Sequence, residues 1–288
     1  MGRWESRILT LGDDTVLVEC GPMRMFIDGS VRGERQPEVC GEAARYAIRV
    51  LEEIVTHQSA MQVPACEVAH PPEGRFARTM WAAAVAIGDS DLTPMAAVAG
   101  TIADATADFL AEKGLTRVIV NNGGDLALYA AEGERIAVGI RSDVDSPAVT
   151  HRVVLSQGMG VRGVCTSGFG GRSFTRGIAS AATVFAETAA VADAAATAIA
   201  NATYVASPAI LRRPADTLYP DTDLKGVEVT VSVGSLTSAD VARALAQGIN
   251  RGEALENKDL IVGACVTVQR RTRCTARLAP LLKPLGNP

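Results

Sequence analysis

The chain has 288 residues and a net charge of −4, a length that suits one large domain or two modest ones of roughly 100–200 residues each. Hydrophobic residues make up 48 % and charged residues 21 %, which excludes disorder as the main state. Three scattered histidines and 4 % aromatics weigh against a His-rich zinc site, an aromatic nucleic-acid platform and an Ig-like sandwich, and the mildly acidic balance weighs against nucleic acid as partner.

The first fourteen residues, MGRWESRILTLGDD, contain no apolar run of the signal-peptide kind, so a cytoplasmic protein is expected. None of Cys20, Cys40, Cys66, Cys165, Cys265 and Cys274 forms a Cys-x-x-Cys pair, and free thiols are the expectation. Residues 15–20 and 23–28 read as a hairpin around Gly21-Pro22. Helical periodicity follows over 39–56, where Val39, Ala43, Tyr46, Ala47, Val50, Leu51 and Ile54 share a face. After a Pro-rich joint at Pro64 and Pro71-Pro72, helices are predicted over 76–87 and 94–113, the latter opened by Pro94 and closed by Gly114. Its first half, PMAAVAGTIADA, is built of small residues that admit either a tightly packed neighbour or a ligand.

Strand patterns occupy 116–120, 126–129, 135–140, 151–155, 161–165 and 179–185. The charge-poor stretch 177–206 is interrupted by Glu187 and Asp193 and reads as a buried segment with a helix at 188–201, not as a membrane span. Strand, helix, strand close the pattern at 226–233, 237–251 and 260–268, and the tail 278–288 reads as an arm or a disordered end. Strands in adjacent runs with helices between them predict an α+β fold with largely antiparallel sheets. One domain over 1–277 is expected, divisible near 115 into two subdomains.

Three segments can carry chemistry. Asn121-Asn122-Gly123-Gly124-Asp125 is either an anion nest with Asp125 as a polar hook or a tight turn between strands. Thr166-Ser167-Gly168 puts hydroxyls at a strand end, and Arg172 and Ser173 follow in the same loop. There Arg172 is either a bidentate anion partner or a solvated side chain, while Cys165 reads as an inert buried thiol. Asp193 and Thr197, four residues apart, stack on one helix face, with Asn201 extending the row. A carboxylate in an Ala-rich helix is costly unless paired or metal-bound, so Asp193 is either a cation ligand, its oxygens and those of Thr197 suiting Mg²⁺, or an acid that faces solvent or bonds a nearby backbone N–H.

In this order, AAVAGTIAD (96–104), NNGGD (121–125), TSG (166–168) and ADAAATAIAN (192–201) resemble the ApbE superfamily of FAD:protein FMN transferases, and most closely its uncharacterised ApbE-like branch. The resemblance implies a T-fold-like architecture with a flavin-nucleotide cleft. It implies Mg²⁺ held by Asp193, Thr197 and the carbonyl of Ala99, polarising the pyrophosphate of FAD while a protein Thr attacks and AMP leaves. Gly100, Asn122, Gly123, Gly124, Asp125, Thr166, Ser167 and Gly168 would then line the ligand, with Asp193, Arg172 and Ser173 as candidate catalytic residues. Two departures stand out. The transferases carry a Lys between the positions of Ala99 and Gly100, and their His-bearing segment is replaced here by GGRSFTRGIASAA (170–182), which puts Arg172, a fixed cation, where the related branch has a His.

Three functions compete. The first is an ApbE-like enzyme that binds a flavin nucleotide, FAD or FMN, or another phosphorylated ligand with Mg²⁺. The second is a hydrolase or lyase acting on a small carboxylate or cyclic amide with the same fold. The third is a non-catalytic binding or assembly module. A small-molecule ligand and a homo-oligomer, a homodimer in the simplest case, are expected, with neither nucleic acid nor membrane as partner.

Overall fold

Strands whose two faces are both apolar must be covered on both sides, and two such strands organise this molecule. A computed structural model of the chain describes residues 4–140, 149–171 and 173–285. In chain order the elements are β1 (Ser6–Thr10), β2 (Val16–Cys20), β3 (Met23–Val31), β4 (Glu34–Arg35), α1 (Pro37–Thr56), α2 (Arg75–Ile87), α3 (Val98–Glu112), β5 (Arg117–Asn122), β6 (Asp125–Ala130), β7 (Ile136–Ile140), β8 (His151–Leu155), β9 (Gly163–Ser167), β10 (Ala181–Ala186), α4 (Ala189–Ala202), β11 (Ile210–Pro214), β12 (Glu228–Val233), α5 (Ser238–Glu256), β13 (Gly263–Val268), β14 (Arg271–Cys274) and β15 (Lys283–Pro284).

The main sheet has ten strands in the order β1-β2-β3-β5-β6-β9-β10-β13-β14, with β4 paired to β3. Every pairing among the described residues is antiparallel. All six residues of β10 and of β13 are buried. Val184, Ala264 and Val266 point into a large core shared with helices α1 to α5, whereas Phe185 and Cys265 point into a second core. The second core lies between the main sheet and a three-stranded sheet, β15-β8-β7, which contributes Ile136, Val138, Ile140, Val153 and Leu155. The chain is α+β: helices, a central antiparallel sheet, and a small sheet on its far side.

Most predicted elements stand within a few residues of their expected ends. The predicted helix at 94–113 begins as a 3₁₀ turn, Pro94–Ala97, and becomes α-helical at Val98. Strand β11, paired with β12 through a bulge at Leu211/Arg212, carries no clear alternation in sequence. The C-terminal segment is ordered through residue 285: Leu278 is fully buried and β15 pairs with His151 and Arg152 of β8. The expectation of free thiols fails at one pair. Register sets Cys265 of β13 directly opposite Cys274 of β14, with Cα atoms 4.1 Å apart, and the two are joined in a disulfide. Cys20, Cys40, Cys66 and Cys165 are free.

Helices α3 and α4 meet at their N-terminal ends, where unpaired N–H groups need acceptors. Each helix supplies a carboxylate to the other. Asp193 of α4 accepts the Gly100 N–H of α3 at 2.9 Å. Asp104 of α3 accepts the Ala189 and Ala190 N–H groups of α4 at 2.9 and 2.8 Å, and Thr188 caps the same helix through the Val191 N–H at 3.3 Å. The exchange requires close approach at Gly100, where a Cβ would lie 2.2 Å from the Ala189 carbonyl oxygen.

Two outcomes follow from this contact. Gly100→Ala forces the helices apart and is expected to cost roughly 1–3 kcal/mol, read as a lowered urea midpoint with an unchanged m-value. Burial pushes the Asp104 carboxyl up to about 6, against the pull of the two N–H groups. Between about pH 4 and 6 the folded chain therefore holds a proton that the unfolded chain releases, and this contribution to stability falls as pH rises through that window and levels off above it. The stability difference between wild type and Asp104→Asn is expected to move against the wild type by roughly 2–3 kcal/mol from pH 4 to pH 7, measured by urea unfolding at each pH.

Candidate functional site

Asn121 to Asp125 form a two-residue hairpin turn. Asn122 pairs with Asp125 across it, and Gly123 and Gly124 adopt φ of +71° and +114°, which only glycine accepts at low cost. The Gly124 N–H is already taken by Asn121 Oδ1 at 2.9 Å, so of the two readings of this segment the turn describes its backbone. Its polar side chains face inward. Asn122 is buried and donates from Nδ2 to the Ala99 carbonyl at 3.2 Å. Asp125 Oδ1 accepts the Thr166 N–H at 3.3 Å.

The β5–β6 turn, the end of β9, the first turn of α3 and the first half of α4 thus converge on one cluster. Thr166 sits opposite Thr183 of β10, hydroxyl to hydroxyl at 2.9 Å. Ser167 follows on the same strand, half-buried, and Gly168 packs so closely that a Cβ there would lie 2.7 Å from the Ser180 carbonyl oxygen. Asp193 is the electrostatic centre. Burial raises its carboxyl well above the usual carboxylate range, the nearby Asp125 charge adds to the rise, and the Gly100 and Ala99 N–H groups oppose it. Cys165 lies beside the same carboxylates; burial, then Asp125, Asp193 and Asp104, raise its thiol, and Sγ donates to the Ala189 carbonyl at 3.3 Å. It is an inert structural thiol.

Among the described residues no basic side chain pairs with Asp193, and no group of three or more His, Cys, Asp or Glu has the arrangement of a metal centre. The donors present are hard oxygens. They are the Asp193 carboxylate, the half-buried Thr197 hydroxyl one turn along α4, and the Asp125 carboxylate that faces Asp193. A carboxylate whose ionisation a second carboxylate opposes, together with a hydroxyl, presents oxygen donors of the kind a small divalent cation takes.

Farther along α4, Asn201 Oδ1 accepts the Arg176 N–H at 2.9 Å and the Thr175 hydroxyl at 3.3 Å. Thr203 Oγ1 accepts the Ile178 and Ala179 N–H groups, both at 2.9 Å. The loop after β9 is therefore tied to the C-terminal end of α4, and Arg176 is anchored further by Asp91. Arg172 lies outside the described residues. Ser173 is exposed, and no hydrogen bond among the described residues joins it to the Asp193 cluster. Sequence reasoning missed Asp104 as a structural carboxylate, although it carries the same signal as Asp193, an acid within a run of small apolar residues. Thr203 had no signal apart from its place just past a helix.

Proteins named UPF0280 from Methanothermobacter thermautotrophicus and Methanosphaerula palustris are 44 % identical over 104 residues and 40 % over 108, covering 36 % and 37 % of this chain. The matched parts are 40 % and 45 % of those relatives, so the chain spans less than half of their length. Solved structures of the flavinyl transferase ApbE from Pseudomonas stutzeri and the flavin transferase ApbE from Vibrio cholerae align over 97 % and 96 % of the chain, and over 96 % and 99 % of their own. Their identities are 13 % and 14 % and their TM-scores 0.40 and 0.38. The family model described as AbpE bacteria matches residues 7–274, and the chain belongs to that family.

Proposed function

We propose that the chain binds a flavin nucleotide or a closely related phosphorylated ligand together with Mg²⁺, and acts on its pyrophosphate, by FAD cleavage or FMN transfer. The observation that carries this reading is the half-buried Asp193 carboxyl group, beside Asp125 with no basic side chain paired to it among the described residues. Such a site is stabilised by a ligand that brings positive charge, and a cation bridging to phosphate oxygens does so.

Asp193 and Thr197 would hold the cation, with Asp125 contributing charge across the cleft. When bound, Mg²⁺ supplies charge neutralisation at pyrophosphate oxygens. The protein's own part is to hold these oxygens in place. Asp193 is fixed by the Gly100 N–H, and Asp125 by the Thr166 N–H. The loop over 168–180, anchored by Asn201 and Thr203, would flank the ligand, and Arg172 within it would meet an anionic group. The low aromatic content leaves Phe169 and Phe174 as the rings near this loop, so recognition would rest on the phosphates more than on stacking.

Incubation with FAD and Mg²⁺, with AMP followed by chromatography, tests the reading. AMP release that stops with chelator and falls on the order of 100-fold in Asp193→Ala is the expected result. The absence of both AMP release and saturable flavin binding at high FAD concentration would overturn it. A further expectation concerns Asp125→Asn. Removing one of the two negative charges near the cation is expected to weaken Mg²⁺ binding about tenfold while leaving the fold intact, because the Asn oxygen still accepts the Thr166 N–H; calorimetric titration with Mg²⁺ checks it.

A further inference from the structure

The Cys265–Cys274 bond joins a buried strand to an edge strand. β13 is covered on both faces, and Cys265 is 3 % exposed. β14 ends the main sheet, and Cys274 on it is half-buried. Exposed Arg271 and Arg273 lie on the same strand, and exposed Arg277 follows it. A disulfide sulfur that is reachable and set among cations is open to attack by a thiolate. Closure of the hairpin is also opposed from two sides. Val268 pairs with Arg271, so Gln269 and Arg270 alone make the turn, at φ of +43° and +66°. Two consecutive left-handed positions favour Asn-Gly, and Gln and Arg adopt them at a cost. Beyond β14 the chain folds over Gly263, where a Cβ would lie 2.5 Å from Leu278 Cβ and 3.1 Å from both Thr275 Oγ1 and Glu256 Oε1. Glu256 is 3 % exposed, and this oxygen has no hydrogen-bond partner among the described residues. Covering an unpaired oxygen costs free energy that uncovering it returns.

We propose that Cys265–Cys274 is a thiol-exchange site, opened by a dithiol reductant, that latches the C-terminal arm (275–285) over the second core. A thiolate of the dithiol attacks Cys274 Sγ, the reachable sulfur. The S–S bond breaks, and Cys265 leaves as a thiolate that takes up a proton. The dithiol's second thiolate then attacks the dithiol sulfur bound to Cys274, and Cys274 leaves and is protonated in turn. One disulfide forms on the dithiol for the one lost here, and the chain gains two electrons and two protons. With the cross-link gone, the left-handed turn and the covered Glu256 oxygen act against a hairpin held by four residue pairs. The arm then loosens, lifting Leu278 from Gly263 and β15 from β8. This latch stands independently of what binds at Asp193.

The full chain is equilibrated with mixtures of reduced and oxidised dithiothreitol, quenched with N-ethylmaleimide and mapped by peptide mass, while amide hydrogen exchange follows residues 271–285. Cys66, which is exposed, labels throughout, and the buried Cys20, Cys40 and Cys165 report whether the chain is still folded. The expected result is labelling of Cys265 and Cys274 with the three buried thiols still protected. Exchange over 275–285 rises about tenfold or more and returns to its first value on reoxidation. Cys274→Ser is expected to show the loosened arm with no reductant present; if that variant does not fold, the wild-type titration decides alone. Resistance to dithiothreitol until the buried thiols also label, full reduction with the arm's exchange unchanged, or no disulfide under oxidising conditions overturns the proposal.

Discussion

The mutual exchange of carboxylates between α3 and α4 is the constraint on which the rest of the site depends. Two helix N-termini brought together present like partial charges and unpaired N–H groups, an arrangement that is unfavourable unless acceptors are built in. Asp193 and Asp104 are those acceptors, each lent by the opposite helix. The same geometry that lets the helices touch at Gly100 and Ala189 also sets a carboxyl group where the β5–β6 turn, β9 and α4 meet. One oxygen secures a helix end, and among the described residues no basic side chain pairs with the group.

The central sheet supports this junction because it cannot shift. Strands β10 and β13 are buried on both faces, so a slip by one residue would move Phe185 out of the second core and Val184 out of the first. Register of β9 against β10 follows from that, and with it the position of Thr166 opposite Thr183. The small residues of α3 and α4 do for the helices what the apolar strands do for the sheet. They remove side-chain bulk at the contact, and the position of each backbone is set by the other.

Much of the architecture was legible in the residues because it rests on patterns with a local cause. The face of α1 follows from its apolar spacing, and Asp193, Thr197 and Asn201 share a side of α4 because helical geometry requires it. The segment 121–125 was legible only as a pair of alternatives. Choosing between nest and turn depends on which acceptor reaches the Gly124 N–H, and that acceptor is the neighbouring Asn121 side chain. The Cys265–Cys274 bond left no mark in sequence, since its cause is the register of β13 and β14. The bond from Asn122 was hidden similarly: its acceptor, the Ala99 carbonyl, is distant in sequence and is met only once β5 lies beside α3.

The pairing of Lys283 and Pro284 with β8 bears on how the molecule is made. The small sheet waits for a strand that follows every other described element, and Leu278, which fills the second core, arrives almost as late. The helical core is complete in sequence only at Val268, whereas the second core still awaits Leu278 and the small sheet its β15 strand. Closing a loop of this length costs entropy that local contacts do not repay, so the far side of the central sheet is the last surface to be covered.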